Sequence, residues 1–172
     1  DNDNSIQSQG LYVWQADNLL AATATLGGHW QLSEDQPDSE NTSVNDVMST
    51  RIATDTRTIK PGDIFLALSG DNFDGHDYLD TAIAQGAVAA IVTRPIATAD
   101  ANSIPQLVVS DTRLALGQLA AYRRQQHQNL TVIAITGSSG KTTCKEMLGS
   151  IFGRLAPTLI TRGKLNNDLG VP

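Results

Sequence analysis

The stretch Val132-Ile133-Ala134-Ile135-Thr136-Gly137-Ser138-Ser139-Gly140-Lys141-Thr142-Thr143-Cys144 decides the reading of the fold. A β-branched run enters a Gly/Ser loop, and the residues beyond place Cys144, Met147, Leu148, Ile151, Phe152 and Leu155 on one helical stripe. Thr158 to Thr161 reads as the next strand, so strand, glycine loop, helix and strand predict a βαβ unit on a parallel sheet. The glycines let successive backbone N–H groups face one anion, and the helix adds the positive end of its dipole. A triphosphate such as ATP suits that arrangement. Gly137, Ser138, Ser139, Gly140, Lys141, Thr142 and Thr143 are therefore the candidate nucleotide-binding residues. Lys141 is the candidate catalytic cation, reaching the β- and γ-phosphates, and the Thr142 hydroxyl is the candidate Mg²⁺ ligand. The loop departs from the general G-x-x-x-x-G-K-[ST] pattern, because Ile135 stands where the first glycine belongs. The competing reading is a plain strand-to-helix turn with a solvated lysine.

Upstream, the apolar pattern from Leu11 to Trp30 is partly helical and stops at Gly27 and Gly28. Residues 33–46 hold five acidic side chains among Ser, Asn and Pro and read as a mobile loop. Ile52 to Thr54 is a short strand, Pro61-Gly62 a turn, and Ile64 to Leu68 a strand buried on both faces. Helical spacing through Leu79, Ala82 and Ile83 ends at Gly86. Ala87 to Val92 and Gln106 to Val109 are further strands, and Ser110 or Asp111 caps a helix running to about Gln126. Trp14, Trp30 and Phe65 are expected in the core, and Cys144 is expected to be buried on its stripe.

Length and charge bound the function. At 172 residues the chain has room for one domain and part of another without disulfide support. Its single cysteine fits a reducing cytoplasm. The net charge of −6 hides an asymmetry: residues 1–110 carry 15 acidic and 4 basic side chains, residues 111–172 only 3 acidic and 8 basic. The acidic part argues against nucleic-acid or membrane-surface binding, and the basic part suits a phosphorylated ligand. The sign change falls where the domain boundary is expected, near residue 110. The apolar runs are too short for a membrane span.

Three blocks carry a family resemblance: TGSSGKTT at 136–143, DTRTIKPGDIFLALSGDNFDGHDYLDTAIAQGAVAAIV at 55–92 and GKLNNDLGVP at 163–172. Together they resemble the Mur ligases of peptidoglycan synthesis, whose own phosphate loop has this shortened form. Leu165-Asn166-Asn167-Asp168 makes the chain most similar to the branch joining D-alanyl-D-alanine to UDP-N-acetylmuramoyl-tripeptide. The resemblance implies an α/β protein: a small UDP-substrate domain over 1–110, then over 111–172 the first βαβ part of a phosphate-loop ATPase domain that continues beyond Pro172. It implies an ATP- and Mg²⁺-dependent amide ligase working through an acyl phosphate, as a monomer. It also implies that Thr54, Asp55, Thr56 and Arg57, with Asp71, Asn72 and Phe73, contact the UDP-muramoyl portion, and that Asn166 and Asn167 lie on a loop reaching toward substrate and nucleotide. A sibling ligase, a folylpolyglutamate-type ligase, a phosphate-loop kinase and a non-catalytic nucleotide-binding module are the alternatives.

Asp71, Asp74, Asp77 and Asp80 do not make a calcium loop, because the register with Gly75 at its sixth position puts Gly70 first and Thr81 twelfth. Asn72, Asp74 and Gly75 read as turn residues, with Asp77 capping the next helix. His29 and His76 lack paired ligand spacing, and neither is the favoured catalytic base.

Overall fold

The computed structural model describes residues 13–31, 43–70, 73–97, 104–127 and 129–161. The chain divides into two compact units, 1–119 and 120–172. The first is built on strands too short to be stable singly. β1 (Trp14–Gln15) leads into helix α1 (Ala16–Ala22), and β2 (His29–Gln31) follows a 3₁₀ turn. That turn closes at Gly27, where the apolar pattern is expected to stop, with a left-handed φ of 66°. β3 (Met48–Ser49) pairs antiparallel with β1. β4 (Ile52–Ala53), β5 (Ile64–Leu66), the hairpin strands β6 (Ser69–Gly70) and β7 (Phe73–Asp74), α2 (Leu79–Ala84), β8 (Ala89–Val92), β9 (Gln106–Val108) and the first half of α3 (Thr112–Gln126) complete it.

The main sheet runs β2-β9-β8-β5-β4. β4, β5, β8 and β9 are parallel, and β2 adds an antiparallel edge. Every residue of β5, β8 and β9 is buried, as a parallel sheet covered on both faces requires. One face packs Phe65, Ala90, Val92 and Val108 with Leu79 and Ala82 of α2. Side chains alternate along a strand, so Ile64, Leu66, Ala89, Ile91 and Leu107 point to the other face. α1 and α3 contribute the buried Leu19, Ala115 and Leu119, and Gln118 of α3 donates to the Thr25 hydroxyl at 2.6 Å. Asp111 caps α3 by accepting from the Leu114 N–H at 2.8 Å. Trp14 and Phe65 lie in the core; Trp30 is half-buried, its indole N–H donating to the Ala16 carbonyl.

One expectation needs correction here. Asp74, read as a turn residue, closes β7 and turns the chain through its side chain, while Asn72 lies outside the described residues. Asp74, not Asp77, caps the following 3₁₀ turn, by accepting from the His76 N–H, because the chain turns three residues earlier than the helical spacing suggests. Gly75 permits that early turn: a Cβ there would stand 2.6 Å from the Leu68 carbonyl oxygen and 2.9 Å from its nitrogen.

The second unit holds one helix among its described residues after α3, α4 (Lys141–Phe152). Neither Val132 to Ile135 nor Thr158 to Thr161 forms a strand, so the expected βαβ ladder is not made. Strands exist only against partners, and both segments stand largely exposed, Leu159 at 95%. The helical stripe is present but uncovered: Met147, Ile151 and Leu155 are exposed, and so is Cys144, which corrects its expected burial. No helix of the described residues is long and apolar enough to cross a membrane.

Gly75→Ala should destabilise the first unit by about 1–3 kcal/mol in urea unfolding, since only backbone can move aside. Gly70→Ala meets open space and should change stability by no more than about 0.5 kcal/mol.

Candidate functional site

Parallel strands deliver their carboxyl ends to one edge of a sheet, the edge where open α/β sheets bind ligands. β4 leads there into Thr54, Asp55 and a 3₁₀ turn over Thr56–Thr58; β5 leads into the hairpin carrying Phe73; β8 leads into Thr93 and Arg94. The structure thus brings Thr54, Asp55, Thr56, Arg57 and Phe73 to loops on a common edge. Asp71, Asn72, Asn166 and Asn167 lie outside the described residues.

Asp55 organises its own turn. One carboxylate oxygen accepts from the Arg57 N–H at 3.0 Å, and the Asp55 carbonyl accepts from Thr58. The Arg57 guanidinium returns onto the same carboxylate, Nε to Oδ1 at 3.0 Å and an Nη donor to Oδ2 at 2.6 Å. These bonds, the side-chain ones foremost, hold the Asp55 carboxyl below the usual range. The Arg57 side chain is 86% exposed, so the pair adds little stability and the cation stays accessible to an anion.

The hairpin is pinned by a residue that sequence reading set aside. His76 is only 3% exposed. Its Nε2 accepts from the Thr93 N–H at 2.9 Å, and its Nδ1 lies 2.5 Å from Asp74 Oδ1 and 3.3 Å from Ser69 Oγ. A backbone N–H can only donate, so Nε2 carries no proton and the ring's hydrogen sits on Nδ1. That basic nitrogen is taken up by a backbone N–H inside the protein, which removes His76 from consideration as a base. Asp74 also accepts from the Ser69 hydroxyl at 2.9 Å and from Arg94 at 3.1 Å. The His76 backbone N–H, then the His76 ring, Ser69 and Arg94 hold the Asp74 carboxyl well below the ordinary range. Phe73, half exposed, stacks on Tyr78 with centroids 5.3 Å apart and planes inclined by 22°. The cluster Asp74-Gly75-His76 was visible in sequence, but Thr93, seventeen residues away, carried no local signal.

In the second unit Gly137 and Gly140 have φ of 149° and 76°, and Gly140 is the residue before α4. No side chain caps that helix and its first turn holds no acid, so the leading N–H groups are left for an anion. Lys141 is half-buried and donates from Nζ to the Gly137 carbonyl, folding over the loop. Thr142 and Thr143 stand exposed in the first turn, and Ser138 and Ser139 are exposed in the loop. This donor set fits a phosphate chain.

A model described as the Mur ligase family, catalytic domain, matches residues 49–124. The chain is 50% identical over 127 residues to the UDP-N-acetylmuramoyl-tripeptide--D-alanyl-D-alanine ligase of Escherichia coli (strain K12), covering 74% of this chain and 27% of that one. It is 38% identical over 122 residues to the enzyme of the same name from Bacillus subtilis (strain 168), covering 70% of this chain and 26% of that one. Among solved structures, MurF from Acinetobacter baumannii superposes with a TM-score of 0.75 at 55% identity, over 94% of this chain and 32% of that one. A MurF ligase from Thermotoga maritima in complex with ADP gives 0.57 at 34% identity, over 70% and 27%. The chain spans about a quarter of the length of the curated relatives it matches.

Because the folded Asp74 carboxyl titrates below its unfolded value of about 3.9, its stabilisation is complete above that pH and is lost as pH falls toward the folded value. Urea unfolding free energies followed from pH 5 to pH 2 should fall less steeply in Asp74→Asn than in the unsubstituted chain.

Proposed function

Because this chain carries a Mur ligase family domain, we propose that it is the N-terminal part of an ATP-dependent ligase joining D-alanyl-D-alanine to UDP-N-acetylmuramoyl-tripeptide in the cytoplasm. Residues 1–110 take the UDP-muramoyl end of the substrate and residues 111–172 open the ATP-binding part. The observation that carries this reading is Lys141 folded over a loop of two positive-φ glycines at an uncapped helix start, in a chain half identical to a ligase of that name. The Thermotoga maritima relative in complex with ADP supports an adenine nucleotide as ligand.

Roles follow from the chemistry of the side chains. The loop N–H groups of 137–143 receive the phosphates, and Lys141 exchanges the Gly137 carbonyl for a phosphate oxygen, neutralising charge that grows as the phosphoryl group transfers. The Thr142 hydroxyl, in the first turn of α4, holds Mg²⁺. What ATP and Mg²⁺ supply there is the phosphoryl group that activates a substrate carboxylate. Thr54, Asp55, Thr56, Arg57, Asp71, Asn72 and Phe73 hold the UDP-muramoyl portion, Arg57 by charge and Phe73 by its exposed ring. Asn166 and Asn167 serve the approach of substrate to nucleotide.

Titrating UDP and ADP separately into the isotope-labelled chain tests the division of labour. UDP should shift the amide signals of Thr56 and Phe73, and ADP those of Gly137 to Thr143; UDP shifts confined to Gly137–Thr143 would overturn the assignment. Lys141→Ala should weaken ADP binding about 10- to 150-fold, the loss of one charge-assisted hydrogen bond of about 1.5–3 kcal/mol, with the α4 signals otherwise preserved. Thr142→Val should weaken ADP binding more with Mg²⁺ present than without it. Equal losses in the two conditions would reject the metal role.

A further inference from the structure

The β6–β7 hairpin has strands of two residues each, and a two-stranded ribbon of that length does not hold itself in water. What ties it to the end of β8 is one buried imidazole, beside the exposed Arg94–Asp74 pair. The cross-strand partners of the hairpin are Ser69 and Asp74, and His76 Nδ1 lies within hydrogen-bond reach of both. The opposite corner of the ring, Nε2, takes the backbone N–H of Thr93 and lies 3.0 Å from its hydroxyl, immediately beyond the carboxyl end of β8. The ring is thus a rigid strut from the end of β8 to the base of the hairpin that leaves β5. A residue placed only to fill the core would be apolar at this depth, since a buried ring nitrogen without a partner is costly. Here both nitrogens are used. Phe73, three residues before the ring, and Tyr78, two residues after it, are the exposed stacked pair on the same edge.

We propose that His76 is a positioning residue: in its Nδ1–H tautomer it sets the hairpin's angle to β8 and so presents the Phe73–Tyr78 pair to the uridine nucleotide. This rests on the UDP-binding reading of the edge for its ligand, though not for its geometry. His76 touches no substrate itself. It acts through Ser69, Asp74 and Thr93, none of which can take its place: the two hairpin residues reach β8 through the ring, apart from the exposed Arg94–Asp74 bond.

The test compares His76→Phe, His76→Gln and Ser69→Ala in the 172-residue chain, with three readouts: the Phe73–Tyr78 ring contact by NMR without ligand, UDP affinity, and amide protection of β5 and β8. His76→Phe should abolish the ring contact and weaken UDP about tenfold while Ile64–Leu66 and Ala89–Val92 stay protected. His76→Gln, whose side-chain oxygen can accept from the Thr93 N–H, should restore most of both losses. Ser69→Ala removes the hydroxyl's contacts to Asp74 and His76 with no change in the core, so it decides the matter should His76→Phe not fold: it should loosen the ring contact and weaken UDP by a smaller factor. The proposal is overturned if the ring contact and UDP affinity survive His76→Phe, if they fall only in step with β5 and β8 protection, if Gln rescues nothing, or if Ser69→Ala leaves both unchanged. Should the unsubstituted chain bind no UDP, the functional reading of the edge fails by itself, and the ligand-free ring contact still decides the role of His76.

Discussion

The structure of the first unit depends on the parallel ladder of β4, β5, β8 and β9. Side chains of β5, β8 and β9 are buried on both faces, so the sheet must be covered twice, and its core is small, aliphatic and tight: Ala53 and Ala90 let α2 approach on one face. Parallel pairing brings a second consequence. All the chain's exits from the ladder open at the same edge, so segments separated by ten to twenty residues in sequence come together there without any contact between them having been needed to fold the sheet. Thr54–Arg57, the β6–β7 hairpin and Thr93–Arg94 are such exits.

Polar groups at that edge divide by depth. The deep one, His76, is satisfied at both nitrogens, as a buried imidazole must be. The shallow ones, Arg57 and Arg94, pair with Asp55 and Asp74 while keeping most of their surface in water. Exposed pairs contribute little to folding, so their arrangement can be exchanged for contacts with an anionic ligand at small cost. Both carboxylates are first of all turn-makers: each accepts the backbone N–H two residues on, and that local bond persists whether or not the arginine leaves.

The second unit shows what local signals achieve without a sheet. Gly140 in the left-handed region starts α4, and the helix runs for 12 residues. Its apolar stripe gains nothing from burial among the described residues, since no residue of α4 is buried. A helix of this length draws most of its stability from packing its apolar face, so the loop and helix geometry here is local in origin. The anion-receiving features share that origin: positive φ at two glycines, an uncapped helix start and a lysine one turn from the carbonyl it bonds.

The sequence by itself determined what nearest neighbours control. Glycines at 27, 86 and 140 take the positive φ their turns require, Asp111 caps α3, and the apolar runs at 64–68 and 87–92 become buried strands. The phosphate-loop residues were legible for the same reason, their geometry closing within a few residues. Only the tertiary structure decided which segments find a partner. Val132–Ile135 has strand composition and makes no strand, and Cys144 lies on a helical stripe and remains exposed. His76, read as a histidine without paired ligand spacing, becomes the link between β8 and the hairpin because Thr93 arrives from seventeen residues away. Propensity and capping are properties of a short piece of chain; ladder hydrogen bonds, burial and the tautomer of a ring depend on groups that only folding brings within reach.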